Sequence, residues 1–207
     1  MNKNDLKTIP TRIVVFNAKG GVGKTAISLN LALTCGHGVI TNDRFSIVDQ
    51  VLDESRCLIL ADKDEVPQID RNVPLILDFG GFLDERIERE IKRADVVIIP
   101  ILPKSENLQS ILDLIEEIRA LNPKQILIIV NEANQDEFLS IKRVLATYYP
   151  DVPALPLRKS KAFARMINKK LSIDQITSEN NLNKRYFGTL NAQFNKIIQQ
   201  LSKGQNA

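Results

Sequence analysis

The stretch Arg12–Phe16 (RIVVF) runs directly into Asn17-Ala-Lys-Gly-Gly-Val-Gly-Lys-Thr25, and the residues behind Thr25 have the spacing of a helix. Few stretches of this length constrain a fold so tightly. Phosphate oxygens need several converging backbone N–H groups, and a tight glycine loop at a helix N-terminus supplies them together with the positive end of the helix dipole. Such a loop is fed by a buried strand and followed at once by a helix, so it sits at one end of a sheet. Lys24 is placed to reach the β- and γ-phosphates of a nucleotide, and the Thr25 hydroxyl to bind Mg²⁺. Gly20, Gly21, Val22, Gly23 and Ala26 complete the expected cradle. A glycine-rich turn with a capping threonine explains the glycines, but not the preceding strand, the following helix and the Lys-Thr pair together.

The rest of the chain reads as further strands and helices in alternation. Gly38–Thr41, Cys57–Ala61, Leu75–Leu77, Val96–Ile99 and Ile126–Val130 are short, continuous apolar runs. Lys24–Thr34, Asp84–Arg93, Ser105–Leu121, Gln135–Thr147 and Leu182–Leu201 have helical patterning, with Ser105 as the expected N-cap of its helix and Asn122-Pro123 as its stop. Pro100 is expected to stop the fourth of those strands. Continuous β-branched strands separated by helices imply a doubly wound α/β fold, a mostly parallel sheet with helices on both faces. Asp78 then falls at the end of a strand expected beside the loop strand, where a carboxylate holds the water shell of a nucleotide-bound Mg²⁺. The tripeptide Asp78-Phe-Gly also occurs in protein kinases, but nothing else of the kinase signature is present.

With 207 residues, 43% of them apolar, the chain suits one domain over 1–207, with 1–10 as an N-terminal extension and 182–207 as a C-terminal helix and tail. Cys35 and Cys57 lack metal-type spacing and His37 is the sole histidine, so no zinc site is expected and both thiols read as small packed hydrophobes. The first ten residues lack the apolar core of a signal peptide and no run is long enough to span a bilayer, which points to the cytoplasm. Charge is uneven. From Asp151 onward ten basic residues face three acidic ones, a net +7 on a chain of net +3, leaving −4 on the remainder. Arg158, Lys159, Lys161, Arg165, Lys169 and Lys170 cluster around an expected helix, with 158, 161, 165 and 169 at helical spacing. That is the footprint of a surface binding DNA phosphates without reading sequence, or simply of a solvated lysine-rich face.

Lys19, inside the phosphate loop, is the unusual residue. Lys19-Gly-Gly-Val-Gly-Lys-Thr25 resembles the deviant Walker A motif of the ParA/MinD family of ATPases, and the likeness runs from about Arg12 to Ile176. The resemblance implies ATP and ADP as ligands, a nucleotide-sandwich homodimer, and Lys19 reaching across it to the partner's phosphates. It also implies a water-positioning carboxylate, for which Asp43 is the candidate, with Asp49 and Asp53 as nearby competitors. The family's first aspartate in that motif is replaced here by Thr41, and no proline-glutamine pair follows, so binding is better supported than hydrolysis. By the same resemblance Asn131 and the segment Pro153–Arg158, with Pro156, would meet the adenine, and Ala94–Pro100 with the helix after Pro103 would couple nucleotide state to dimerisation.

The closest likeness is to short ParA-type partition proteins without an N-terminal helix-turn-helix. It implies plasmid or chromosome partitioning on the nucleoid, with non-specific DNA and a centromere-binding ParB-like protein as partners. The alternatives are a MinD-like or conjugation-accessory positioning ATPase at the membrane, and a metabolic P-loop enzyme. The terminal helix has Asn and Gln, not Lys and Arg, on most of its polar face, which favours packing over membrane binding.

Overall fold

In a computed structural model, residues 9–62, 64–103 and 108–203 are described. Strands β1 (Arg12–Asn17), β2 (Gly38–Thr41), β3 (Cys57–Ile59), β4 (Leu75–Gly80), β5 (Val96–Ile101), β6 (Ile126–Val130) and β7 (Ala154–Pro156) form one sheet in the order β3-β2-β4-β1-β5-β6-β7. All its pairings are parallel. The helices are α1 (Lys24–Cys35), α2 (Val48–Val51), α3 (Glu85–Arg93), α4 (Leu108–Ala120), α5 (Gln135–Tyr148), α6 (Ala162–Lys169), α7 (Ile173–Ser178) and α8 (Asn181–Lys203).

Alternating strand residues serve two separate cores, as the two-residue period of a strand requires. Ile13, Val15, Ile76 and Ile98 pack with α1, α2 and α6 to α8, whereas Val14, Phe16, Leu77, Val97 and Ile99 pack with α3 to α5. The sheet is therefore covered on both faces, and the continuous apolar strands follow from that. Caps written into the sequence start several helices. Asp84 accepts from the N–H groups of Arg86 and Ile87, and Asn134 with Glu137 forms a capping box.

Several boundaries differ from the expectation for physical reasons. Pro100 does not stop β5, which runs to Ile101. In a parallel strand, alternate residues bond opposite neighbours. Val97 N–H donates to Gln125 O and Ile101 O accepts from Asn131, so the odd positions face β6. Pro100 faces β1, whose pairing with β5 ends at Val15↔Ile98, so its missing N–H costs no ladder bond. Its carbonyl accepts instead from the Asn17 side chain at 2.8 Å. The Pro153–Arg158 segment, not among the strands expected from the sequence, contains β7. Although α3 is rich in charged residues, its Glu90 is buried beside Arg12 at 3.6 Å, with Arg93 at 3.5 Å. Ser105 lies outside the described residues.

The apolar face of α8 is committed to the core. Leu190, Phe194, Ile197, Ile198 and Leu201 are all buried, and Phe194 meets Phe163 edge-on at 6.0 Å. Among the described residues no helix is long and apolar enough to cross a membrane.

Candidate phosphate site

β1 leads into the loop and α1 leaves it, with Gly23 as the N-cap residue at φ 95°. That left-handed backbone alone favours glycine. A second constraint acts at the same atom, because a Cβ on Gly23 would overlap the Asn131 amide. Asn131 follows β6 and its Nδ2 donates to the Val22 carbonyl at 2.9 Å, tethering the loop to a distant strand. Its Oδ1 is buried without a hydrogen-bond partner. At the other end Asn17 accepts from the Lys19 N–H at 2.8 Å. The loop is thus held from both sides by asparagine side chains that do not belong to it.

Lys24, the first residue of α1, folds back so that Nζ donates to the Lys19 carbonyl at 2.9 Å. Its stem crosses Gly80 at the end of β4, where an added Cβ would lie 2.9 Å from Lys24 Cε. Thr25 Oγ1 donates to Asp78 Oδ2 at 2.7 Å. β4 lies next to β1, and this adjacency delivers the carboxylate to the loop. Asp78 is buried, and its Oδ1 has no hydrogen-bond partner. Burial pushes its pKa up to about 6, against the opposing pull of the Thr25 hydroxyl and the Lys24 charge. The open Asp78 oxygen and the Thr25 hydroxyl are oxygen donors of the kind a divalent cation takes, a partial set that leaves its other positions to phosphate and water.

These groups surround a cleft of about 270 Å³, lined also by Ala18, Gly20, Thr41, Asn42, Asp43 and Gly81. Asp43 therefore reaches the same cleft as Lys24, Thr25 and Asp78. Thr41 is fully buried, and its Oγ1 accepts from the Asp43 N–H at 3.1 Å. In the sheet Thr41 pairs with Asp78. A carboxylate at position 41 would stand beside that buried carboxylate, and threonine removes the repulsion. Asn42, whose role the sequence reading missed, clamps β2 to β4. Its Nδ2 donates to Gly80 O at 2.8 Å, and its Oδ1 accepts from Gly80 N–H at 3.0 Å. Its place at the end of a strand, next to a cleft aspartate, was the only signal available. The Lys19 side chain is exposed and makes no ion pair among the described residues.

Asn131 does not line the second cavity, of about 480 Å³, that opens beside it. Pro156, Glu132, Arg158, Lys159 and Gln193 do. The remaining expected cradle residues, Gly21, Val22 and Ala26, lie in the loop and the first turn of α1, with Val22 wholly buried.

The basic cluster is arranged differently from the expected helical row. Ser160 Oγ accepts from the Ala162 N–H, turning the chain into α6, so Arg158 and Lys159 precede the helix. Lys159 pairs with Glu132 at 2.7 Å and Lys169 with Glu179 at 2.6 Å. Arg165 donates to Asn183 at 2.8 Å and stacks over Phe187. Arg158, Lys161 and Lys170 are exposed, without ion pairs among the described residues. Burial pushes the Cys35 thiol up to about 12, so it stays protonated and inert.

Fold and loop together give a glycine-rich strand–loop–helix at the end of a parallel α/β sheet, the form of a P-loop. The chain resembles solved ATPases of the ParA and MinD kind. MinD, the cell division ATPase of Pyrococcus furiosus, shares 16% identity at a TM-score of 0.58, over 90% of this chain and 99% of that one. A ParA family ATPase from Chlorobium tepidum shares 18% at 0.56, over 87% and 98%. A variant of McdA from Cyanothece, in complex with ATP, shares 14% at 0.57, over 89% and 96%. No protein-family model matches the chain and no curated protein matches it in sequence, so the likeness is one of fold.

Proposed function

We propose that this chain is a ParA-like ATPase for plasmid or chromosome partitioning, working as an ATP-dependent sandwich dimer on non-specific DNA. The observation that carries the reading is the meeting of Lys24, Thr25, Asp78 and Asp43 in one cleft, with Lys19 exposed on the loop that walls it. Two neighbours with this fold, from Chlorobium tepidum and Pyrococcus furiosus, are named as ATPases, and a third was solved with ATP.

In this reading ATP is the substrate. The loop N–H groups from Gly20 to Thr25 and the Lys24 ammonium hold its phosphates, and Ala26 backs the first turn of the helix. Thr25 and Asp78 would hold Mg²⁺, which neutralises phosphate charge during transfer. Asp43 accepts a hydrogen bond from the attacking water and orients it. Lys19 is presented to a second copy, where its charge offsets that developing on the phosphates. Asn131 and Pro156 flank the base.

The basic segment serves as the DNA surface, with Arg158, Lys161 and Lys170 available outright. Lys159 and Lys169 are held by exposed ion pairs, worth at most about 1 kcal/mol each, and exchange carboxylate for phosphate readily. A ParB-like protein bound to a centromere-like site stimulates hydrolysis and release, which places the working protein on the nucleoid in the cytoplasm.

The test is DNA co-sedimentation of the full chain with ADP, ATP and a non-hydrolysable analogue. The reading expects DNA retention with ATP and the analogue but not with ADP. Equal retention in all three, or none, would overturn it.

A further inference from the structure

Phe45 and Phe82 stand almost wholly in solvent, at 93% and 95% exposure, whereas Phe16, Phe79, Phe138, Phe187 and Phe194 are buried. Isolated exposed apolar residues are ordinary, but two nearly bare phenylalanines beside one cleft are not. Phe45 follows Asp43 by two residues and Phe82 comes directly after Gly81, and both Asp43 and Gly81 line the phosphate cleft. The two loops are joined by the paired hydrogen bonds between Asn42 and Gly80. Asp43 Oδ1 accepts from the Phe45 N–H at 3.0 Å, which fixes the turn that carries the ring. Both rings are therefore presented from the C-terminal edge of the sheet, the edge that also carries the Lys19 loop.

We infer that Phe45 and Phe82 are the apolar anchors of a contact with a second copy of this chain, made across the mouth of the phosphate cleft. The inference rests on the reading of Lys19 as acting on a partner's phosphates. For that lysine to reach them, the C-terminal edges of two sheets must face each other, and whatever stands on those edges is trapped between the copies. A two-fold contact is self-complementary, so four rings are buried at once. A buried aromatic side chain covers about 150–250 Å², so four account for on the order of 800 Å². That is about half of a standard interface of roughly 1,600 Å². Arg44, next to Phe45 and paired with Asp62 at 3.0 Å, together with the Asp84–Arg86 pair after Phe82, supplies the charged rim expected around an apolar centre. Aromatic side chains ringed in this way carry a disproportionate share of binding.

The test uses the full chain with Mg²⁺ and a non-hydrolysable ATP analogue, comparing wild type with the double variant Phe45→Ser/Phe82→Ser by sedimentation velocity over a concentration series. Binding of a fluorescent ATP analogue to dilute protein is followed in parallel. Both rings are exposed, so the variant is expected to keep the wild-type melting temperature and to bind nucleotide within twofold. Its self-association is expected to weaken at least tenfold, with Phe45→Leu/Phe82→Leu restoring most of it. A double variant that associates like a dimerising wild type would overturn the inference and leave the reading of Lys19 intact. A wild type that stays monomeric at every concentration would remove both. A double variant that still dimerises but loses binding of a different protein would assign the rings to that protein instead.

Discussion

Asp78 is a buried carboxylate whose surroundings favour its protonated form. Its pKa, raised by burial to about 6, means that the folded protein binds a proton more tightly than the unfolded chain does. Stability therefore falls as pH rises from about 4 to about 6, and the loss is complete at pH 7, on the order of 3 kcal/mol. Asp78→Asn is expected to recover much of this in nucleotide-free protein while abolishing ATPase activity. Denaturant melts at pH 4.5 and 7 check it, with a variant advantage at pH 7 that shrinks at the lower pH. Gly23 carries a sharper constraint. Gly23→Ala meets both an unfavourable φ and the Asn131 amide, so it is expected to cost about 1–3 kcal/mol and to remove nucleotide binding. Thermal melts and fluorescent-nucleotide titration measure the two effects separately. Gly80→Ala is the milder case: its Cβ presses on the flexible end of Lys24, so nucleotide affinity falls while the melting temperature holds.

At the scale of elements, the strand–loop–helix unit was legible because its chemistry is local. That Asp78 belongs to a compact apolar strand was legible too, whereas the placing of that strand beside β1 is set by the sheet order. What could not be read were features set by remote neighbours. Pro100 stays in its strand because the edge it faces has already parted. Asn17, Asn42 and Asn131 act through partners up to 109 residues away, which no local pattern records. The bare rings of Phe45 and Phe82 look in sequence like any core phenylalanine. In the α6–α8 layer some basic residues are held by neighbours and others stand free of ion pairs among the described residues. Lys161→Ala/Lys170→Ala is expected to leave stability unchanged, and to lower the slope of log affinity against log salt for DNA by up to about 2. Arg165→Ala, in contrast, loses a hydrogen bond and a ring contact, and is expected to cost about 1–2 kcal/mol as well. Phe194→Ala, deep under α8, is expected to cost about 3–5 kcal/mol in urea denaturation.

The whole molecule sets two unlike surfaces on one sheet. The C-terminal edge of the central strands carries the phosphate cleft, Lys19 and the two exposed rings, while Lys161, Arg165, Lys169 and Lys170 lie on or beside α6, and Lys184 and Arg185 at the start of α8. In the proposed function the first surface responds to nucleotide and the second meets DNA phosphates. The account stands on whether the loop is a dimerising switch and not merely an ATP site, and Lys19 is the residue that decides. Sedimentation velocity of Lys19→Ala with Mg²⁺ and a non-hydrolysable ATP analogue, beside nucleotide titration of the same variant, is the direct test. A dimerising switch predicts nucleotide binding close to wild type with dimerisation weakened at least tenfold. Dimerisation equal to wild type would contradict it.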